Sequence, residues 1–150
     1  MGLFFEEFTP GREFVTGSRV VDDASIRAWA DLSGDRNPLH LDEAYARETA
    51  FGGRIAPGVL GLAFATGLLS EAGFTRGTLV ALVGVQWRFL VPVRPGDSVS
   101  LRLRVGEQRP REGRNHGVVR FEAWLTNQKG ETVQEGEITE LIRARPAPTG

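Results

Sequence analysis

The segment Val59-Leu60-Gly61-Leu62-Ala63-Phe64-Ala65-Thr66-Gly67-Leu68-Leu69 is apolar nearly all round. A helix of that kind is either buried or crosses a membrane. Crossing needs about 20 apolar residues, and this run is too short. It therefore predicts a core helix that the rest of the chain must cover. Gly61 and Gly67 each cost about 1 kcal/mol of helix propensity against alanine. They are expected where strand backbones come close; the plainer alternative is that they mark a poor helix.

After this segment the apolar period changes from helical to alternating. Thr78 to Val91 reads as a long strand, and Arg94-Pro95-Gly96-Asp97 as a turn. Val99, Leu101, Leu103 and Val105 alternate with Ser100, Arg102 and Arg104, the pattern of a half-buried strand. Arg109 to Gly117 reads as a polar loop. Val119, Phe121, Ala123 and Leu125 then alternate with Arg120, Glu122, Trp124 and Thr126. Asn127 to Gly130 is a turn and Glu131 to Ile142 the last strand. Ahead of the apolar helix, Glu13 to Val21 reads as a first strand. Asp22 and Asp23 are cap candidates for a helix over about Ala24 to Ser33, with Gly34 as its natural stop. Asp42 reads as the cap of a short helix running to about Thr49, broken by Gly52-Gly53. Short connections favour antiparallel pairing, and a sheet with one apolar face needs a cover that one apolar helix supplies. The pattern predicts an α+β fold with no internal repeat.

At 150 residues the chain is expected to form one domain with a core of its own. The absence of cysteine excludes disulfides, thiolate metal sites and cysteine nucleophiles. His40 and His116 are the two histidines, so a multi-histidine metal site within one chain is excluded as well. A net charge of −1 argues against a general nucleic-acid footprint. Lys129 is the one lysine, so arginine carries nearly all positive charge and no single arginine stands out as a phosphate ligand. Arg54 is expected to be solvated or paired with an acid. Met1 to Phe8 lacks a basic start and carries Glu6 and Glu7, so no signal peptide is expected and the default location is cytoplasmic.

Chemistry concentrates in two places. The first is Ser33-Gly34-Asp35-Arg36-Asn37-Pro38-Leu39-His40. A carboxylate accepts hydrogen bonds, and an imidazole gives or takes a proton near neutral pH. Pro38 fixes its own φ and pushes Asn37 toward an extended conformation, so the link is expected to be a shaped turn, not a continuous helix. Such a turn can aim both side chains at one point. The plainer reading makes Gly34 and Pro38 punctuation, Asp35 a cap and His40 a surface residue. The second place is Arg54-Ile55-Ala56-Pro57-Gly58, which opens the apolar helix.

Gly34-Asp35-Arg36-Asn37-Pro38-Leu39-His40-Leu41-Asp42 and Ile55-Ala56-Pro57-Gly58-Val59-Leu60 together resemble the MaoC-like family of enoyl-CoA hydratases and dehydratases. Trp87-Arg88-Phe89 followed by Pro92-Val93-Arg94-Pro95-Gly96-Asp97 is also similar to that family, and the likeness runs from about Val21 to near Ile142. The resemblance implies a single hotdog, a curved antiparallel sheet wrapped around a central helix, over residues 1–145. Arg143 to Gly150, with Pro146 and Pro148, reads from its own residues as a frayed tail, disordered over 146–150. The resemblance also implies (R)-specific hydration of 2-enoyl-CoA thioesters or dehydration of 3-hydroxyacyl thioesters. Asp35 and His40 match the family's catalytic pair, and the backbone N–H of Gly58 matches the group that binds the thioester carbonyl. Pro57 shapes that helix start, and Asn37 takes a supporting or turn role, with direct site contact left open. No cofactor or metal is implied. The expected partners are an acyl-CoA or acyl-carrier-protein thioester and a second copy of the chain, with the site between subunits of a homodimer or a higher oligomer. Neither nucleic acid nor membrane is expected.

The chemistry fits these residues. Hydration needs groups that hold and deprotonate water and supply a proton to the α-carbon. It also needs donors at the enolate oxygen. With Pro57 as the first helical residue, its missing N–H costs nothing, and the Gly58 N–H has no intrahelical partner. Two alternatives are a hotdog thioesterase and a non-catalytic acyl-thioester-binding subunit of a heteromeric dehydratase. The paired Asp35 and His40 count against both. His116 matches no motif and is expected on the surface.

Overall fold

The computed structural model describes residues 1–147. A short 3-10 turn at Phe5–Glu7, not anticipated from the sequence, precedes strand β1 (Glu13–Val20). Helix α1 (Asp23–Ser33) follows, capped by the Asp22 side chain, which accepts from Ser25 N–H at 2.8 Å. Two short helices come next, α2 (Pro38–Leu41) and α3 (Glu43–Arg47). Asp42 caps the second of them by accepting from Tyr45 N–H at 3.1 Å. Helix α4 (Gly58–Ala72) is the apolar segment, and strands β2 (Leu79–Phe89), β3 (Ser98–Pro110), β4 (His116–Thr126) and β5 (Thr132–Arg143) complete the chain.

The five strands form one antiparallel sheet in the order β1-β3-β4-β5-β2. The short link between β2 and β3 does not make a hairpin, contrary to the expectation from length. Leu90 and Val91 both donate to the Val133 carbonyl, so β2 stays on β5 to its end. Pro92 and Pro95 lack the N–H that would continue a ladder. The chain then crosses to the far side of the sheet, where β3 pairs with β1 and β4. The loop predicted over Arg109 to Gly117 shrinks to Arg111–Asn115, because both flanking strands run on to pair Pro110 with Gly117. At the C-terminus the chain remains tied beyond β5: Ala144 N–H donates to the Asn115 carbonyl at 2.8 Å, and Arg145 pairs with Glu7. The tail predicted over 146–150 falls largely outside the described residues.

The alternating apolar residues of β3 and β4 all point to one face, where Leu101, Leu103, Phe121 and Leu125 are 1% exposed or less. Helix α4 lies on that face, with Leu60, Gly61, Ala65, Leu68 and Leu69 buried. This is the hotdog arrangement, α+β, with α4 as the wrapped helix. One expectation changes: α4 is not covered all round. Val59 is 52% exposed, and Leu62, Ala63 and Phe64 are half-buried. The two glycines also differ. A Cβ on Gly61 would overlap the Gln134 side-chain amide, so what comes close there is a side chain, not a strand backbone. At Gly67 the nearest atom to such a Cβ is Arg19 Nη1 at 4.0 Å, and no backbone approaches.

Candidate active site

Helix α1 ends at Gly34, whose φ of 80° is the left-handed conformation glycine adopts freely. The chain then turns through two side-chain-to-backbone bonds. Asp35 Oδ1 accepts from Asn37 N–H at 3.3 Å, and Asn37 Oδ1 accepts from Leu39 N–H at 3.0 Å. The second bond makes Asn37 the cap of α2, with Pro38 at its first position. The shaped turn is therefore present, and its last part is a single helical turn that carries His40. For Asn37 the structure shows the turn role.

His40 is 9% exposed. Its Nδ1 lies 2.8 Å from the Ile55 carbonyl oxygen. A carbonyl can only accept, so Nδ1 carries the hydrogen and Nε2 of the neutral ring carries the lone pair. Nε2 faces Asp35 Oδ2 at 3.9 Å. That is beyond direct hydrogen bonding and within the span of one shared water. His40 is buried, not a surface residue; Asp35 makes a cap-type bond through Oδ1, while its carboxylate, half-open to solvent, faces the imidazole through Oδ2.

Arg54 holds this unit from behind. Its Nε donates to the His40 carbonyl at 2.8 Å, and its guanidinium pairs with Asp23 at the start of α1. Hydrogen bonds from Arg54, and then from Arg27, hold the Asp23 carboxyl below its usual range. Arg54 is thus acid-paired, as expected. Arg94, not singled out by the sequence, donates to the Phe51 carbonyl at 2.7 Å and pins the loop before Arg54.

Ala56 N–H donates to the Val93 carbonyl at 2.7 Å, which seats the approach to α4. Pro57 is the N-cap and Gly58 the first helical residue, one position later than the sequence suggested. The consequence for Gly58 is the same: its N–H has no intrahelical acceptor and lies at the positive end of the helix dipole. A Cβ on Gly58 would fall 2.8 Å from the Phe89 ring, so only glycine fits without displacing that ring. Gln134, buried on β5, donates to the Gly58 carbonyl at 3.0 Å and accepts from Trp87 Nε1 at 2.8 Å. The sequence signal for Gln134 was a polar residue beside the apolar Val133, which went unused. Gly58 and Ile55 line a cleft of about 430 Å³ with Phe51, Phe89 and Val91, largely apolar; Asp35 and His40 do not line it. His116 opens β4, half-buried, with Arg111 and Asn115 as its polar neighbours.

A model of the MaoC like domain matches residues 6–128. The chain belongs to the MaoC-like domain family. An (R)-specific enoyl-CoA hydratase of Rhodospirillum rubrum is 33% identical over 142 residues, covering 95% of this chain and 93% of that protein. Protein MaoC of Klebsiella aerogenes is 38% identical over 101 residues, and the match spans 67% of this chain but only 30% of that longer protein. The crystal structure of a MaoC-like dehydratase from Rhodospirillum rubrum superposes with a TM-score of 0.88 at 31% identity, covering 97% of this chain and 100% of that one. Among the described residues of this MaoC-like chain, no helix is long and apolar enough to cross a membrane.

Proposed function

We propose that this MaoC-like chain is a hydro-lyase that hydrates 2-enoyl-CoA thioesters with (R) specificity and runs the reverse dehydration of 3-hydroxyacyl thioesters, carried on CoA or on acyl carrier protein. The observation that carries the proposal is His40 Nε2 facing Asp35 Oδ2 across 3.9 Å. Both atoms are acceptors when the ring is neutral. A water between them donates one hydrogen to each and turns its lone pairs outward, toward the β-carbon of a substrate. Addition forms the C–O bond at the β-carbon and moves the double-bond electrons toward the thioester oxygen. The Gly58 N–H is the donor for that oxygen, stabilising charge as it develops. The Asp35/His40 pair takes one proton from the water and delivers one to the α-carbon.

The site is completed by a second copy of the chain. Strand β2 is an edge strand whose Val80, Leu82 and Val83 are 46%, 49% and 52% exposed, and α4 beside it shows an uncovered apolar face. A long apolar edge is an aggregation hazard unless it is covered, and a two-fold antiparallel pairing of β2 with itself covers it. The Rhodospirillum rubrum relative, named an (R)-specific enoyl-CoA hydratase, matches over 93% of its length, which supports the chemistry. The test is crotonyl-CoA: loss of conjugated enoyl absorbance without thiol release is expected. Release of free thiol in place of hydration would instead indicate a thioesterase, and no turnover with retained binding a non-catalytic subunit. Light scattering should report a dimer at micromolar concentration; a fully active monomer overturns the assembly.

A further inference from the structure

Two polar side chains stand in the inward row of β5, where alternation gives aliphatic ones: Gln134 opposite Leu125, and Glu140 opposite Val119. Glu140 is 4% exposed beside a cleft of about 420 Å³ between α4 and β2, lined by Thr66, Leu69 and Leu82. Its Oε2 forms no hydrogen bond among the described residues. Gln134 is the opposite case: it is 2% exposed, and both ends of its amide are engaged. An indole N–H only donates and a backbone carbonyl only accepts. Trp87 therefore fixes Oε1 and Gly58 fixes Nε2, and the amide has one orientation.

The bond to Gly58 is not one that the helix needs. As the first residue of α4, Gly58 offers its carbonyl to the Leu62 N–H of the helical ladder, and the oxygen's second lone pair takes Gln134. What the first turn lacks is a local hold. Pro57, the N-cap, makes no side-chain cap bond, and no acidic residue stands in the first turn. Gly58 has the freest backbone of any residue type. A side chain from β5 thus does for this turn what a capping side chain does at other helix starts. It is held close: a Cβ on Gly61 would lie 2.3 Å from Gln134 Nε2.

We propose that Gln134 is a positioning residue that aims the Gly58 N–H at the thioester oxygen. This rests on the hydratase reading above. Gln134 acts on Gly58, not on the substrate. It holds the Gly58 carbonyl, and the N–H of the same residue is linked to that carbonyl through its own φ and ψ alone. With those torsions held, the donor is in place before charge develops on the oxygen, the condition under which such donors lower a barrier. With them released, the N–H swings away from the oxygen. Trp87 acts one step further back, by holding Oε1 so that Nε2 stays on Gly58.

The experiment uses Gln134→Met, which keeps the length of the side chain and removes the donor, and Trp87→Phe, which leaves Gln134 in place and frees its Oε1. Crotonyl-CoA gives kcat and KM. Butyryl-CoA, isotope-labelled at the thioester carbonyl and unable to be hydrated, gives the carbonyl stretch of the bound thioester in infrared difference spectra. In the wild type the stretch should move to lower wavenumber on binding, the mark of a donor at that oxygen. Gln134→Met should lose most of that shift and lower kcat by about tenfold or more, short of the roughly 10²–10³-fold that outright loss of such a donor costs. KM should change less than kcat. Trp87→Phe should move both readouts the same way and by less. A Gln134→Met protein that keeps the wild-type shift and kcat per folded molecule overturns the proposal, whatever its stability in urea, and so does a wild type whose carbonyl does not shift. Where Gln134→Met fails to fold, Trp87→Phe decides by the same two readouts. Absence of crotonyl-CoA hydration by the wild type overturns the hydratase reading, while the carbonyl shift still decides whether Gln134 aims Gly58.

Discussion

The Ile55 carbonyl accepts from His40 Nδ1 at 2.8 Å, and Ile55 stands three residues before Gly58. One backbone group thereby sets the tautomer of the imidazole and ties it to the start of α4. The two clusters that the sequence separates by a loop and a short helix are joined at this bond. Arg54, immediately before Ile55, closes the other side by holding the His40 carbonyl at 2.8 Å.

Arg54→Gln should therefore act on His40 without touching the substrate. The guanidinium is mostly buried while Asp23 is half-exposed, so the stability loss should be about 1–3 kcal/mol, the cost of leaving buried groups unpaired. Turnover on crotonyl-CoA should fall as His40 loses its fixed orientation. Urea melts and initial rates measure the two. Wild-type kcat in a destabilised variant would mean that the Ile55 bond alone orients the ring.

Gly61 and Gly67 give a paired test within one helix. Alanine gains about 1 kcal/mol of helix propensity at either position. At Gly67 there is room, so Gly67→Ala should stabilise by about that amount. At Gly61 a Cβ overlaps the Gln134 amide, and overpacking of this kind typically costs about 1–3 kcal/mol, so Gly61→Ala should destabilise. Adding Gln134→Ala should recover part of the Gly61→Ala loss, because the two side chains compete for one space. Equal shifts at the two glycines in thermal melts would remove Gln134 as the reason for Gly61.

Much of this was legible because local rules and tertiary structure agree. Asp22 and Asp42 cap their helices with their side chains, Gly34 ends α1 in the left-handed conformation open to glycine, and alternation in β3 and β4 names the buried face. The pairing partner of β2 was not legible: its short link to β3 suggested a hairpin, while the order is set by how Leu90 and Val91 bond to Val133. Gln134 and Glu140 were missed because a polar residue at an inward position looks like noise in an apolar pattern. Their partners, Gly58 and Trp87 for one and the α4–β2 cleft for the other, lie far away in sequence.

Glu140 also predicts a pH dependence of stability. Burial raises its carboxyl from 4.5 to about 7. Between those values the folded chain keeps a proton that the unfolded chain releases, so stability falls as pH rises through the window and levels off above it. The size is on the order of 3 kcal/mol. Glu140→Gln has no proton to lose, so its stability relative to wild type should improve from about pH 4.5 to about pH 7. Asp22 and Asp23, whose carboxyls sit below their usual range, are present in both proteins and cancel in the difference. Arg76 is the other charged group lining the cleft. Urea melts across that range check the claim; parallel curves for the two proteins would place the titration elsewhere.

The proposed partnership of Asp35 and His40 predicts non-additive losses. An Asp35 that only shaped the turn would be replaced well by asparagine, whose side-chain oxygen can accept the Asn37 N–H as Asp35 does at 3.3 Å. A carboxylate that shares a water with His40 Nε2 is not replaced, since an amide neither takes a proton nor stabilises an imidazolium. Asp35→Asn should hold stability within about 1 kcal/mol and lower crotonyl-CoA turnover by about 10²-fold or more. His40→Ala should lower turnover to a similar degree, and His116→Ala should leave it near wild type. Groups that act on one water fail together, so the double variant Asp35→Asn/His40→Ala should be little worse than either single. Losses that multiply in the double variant would assign the two residues to separate steps. A destabilised Asp35→Asn with normal turnover per folded molecule would reduce Asp35 to its bond with Asn37.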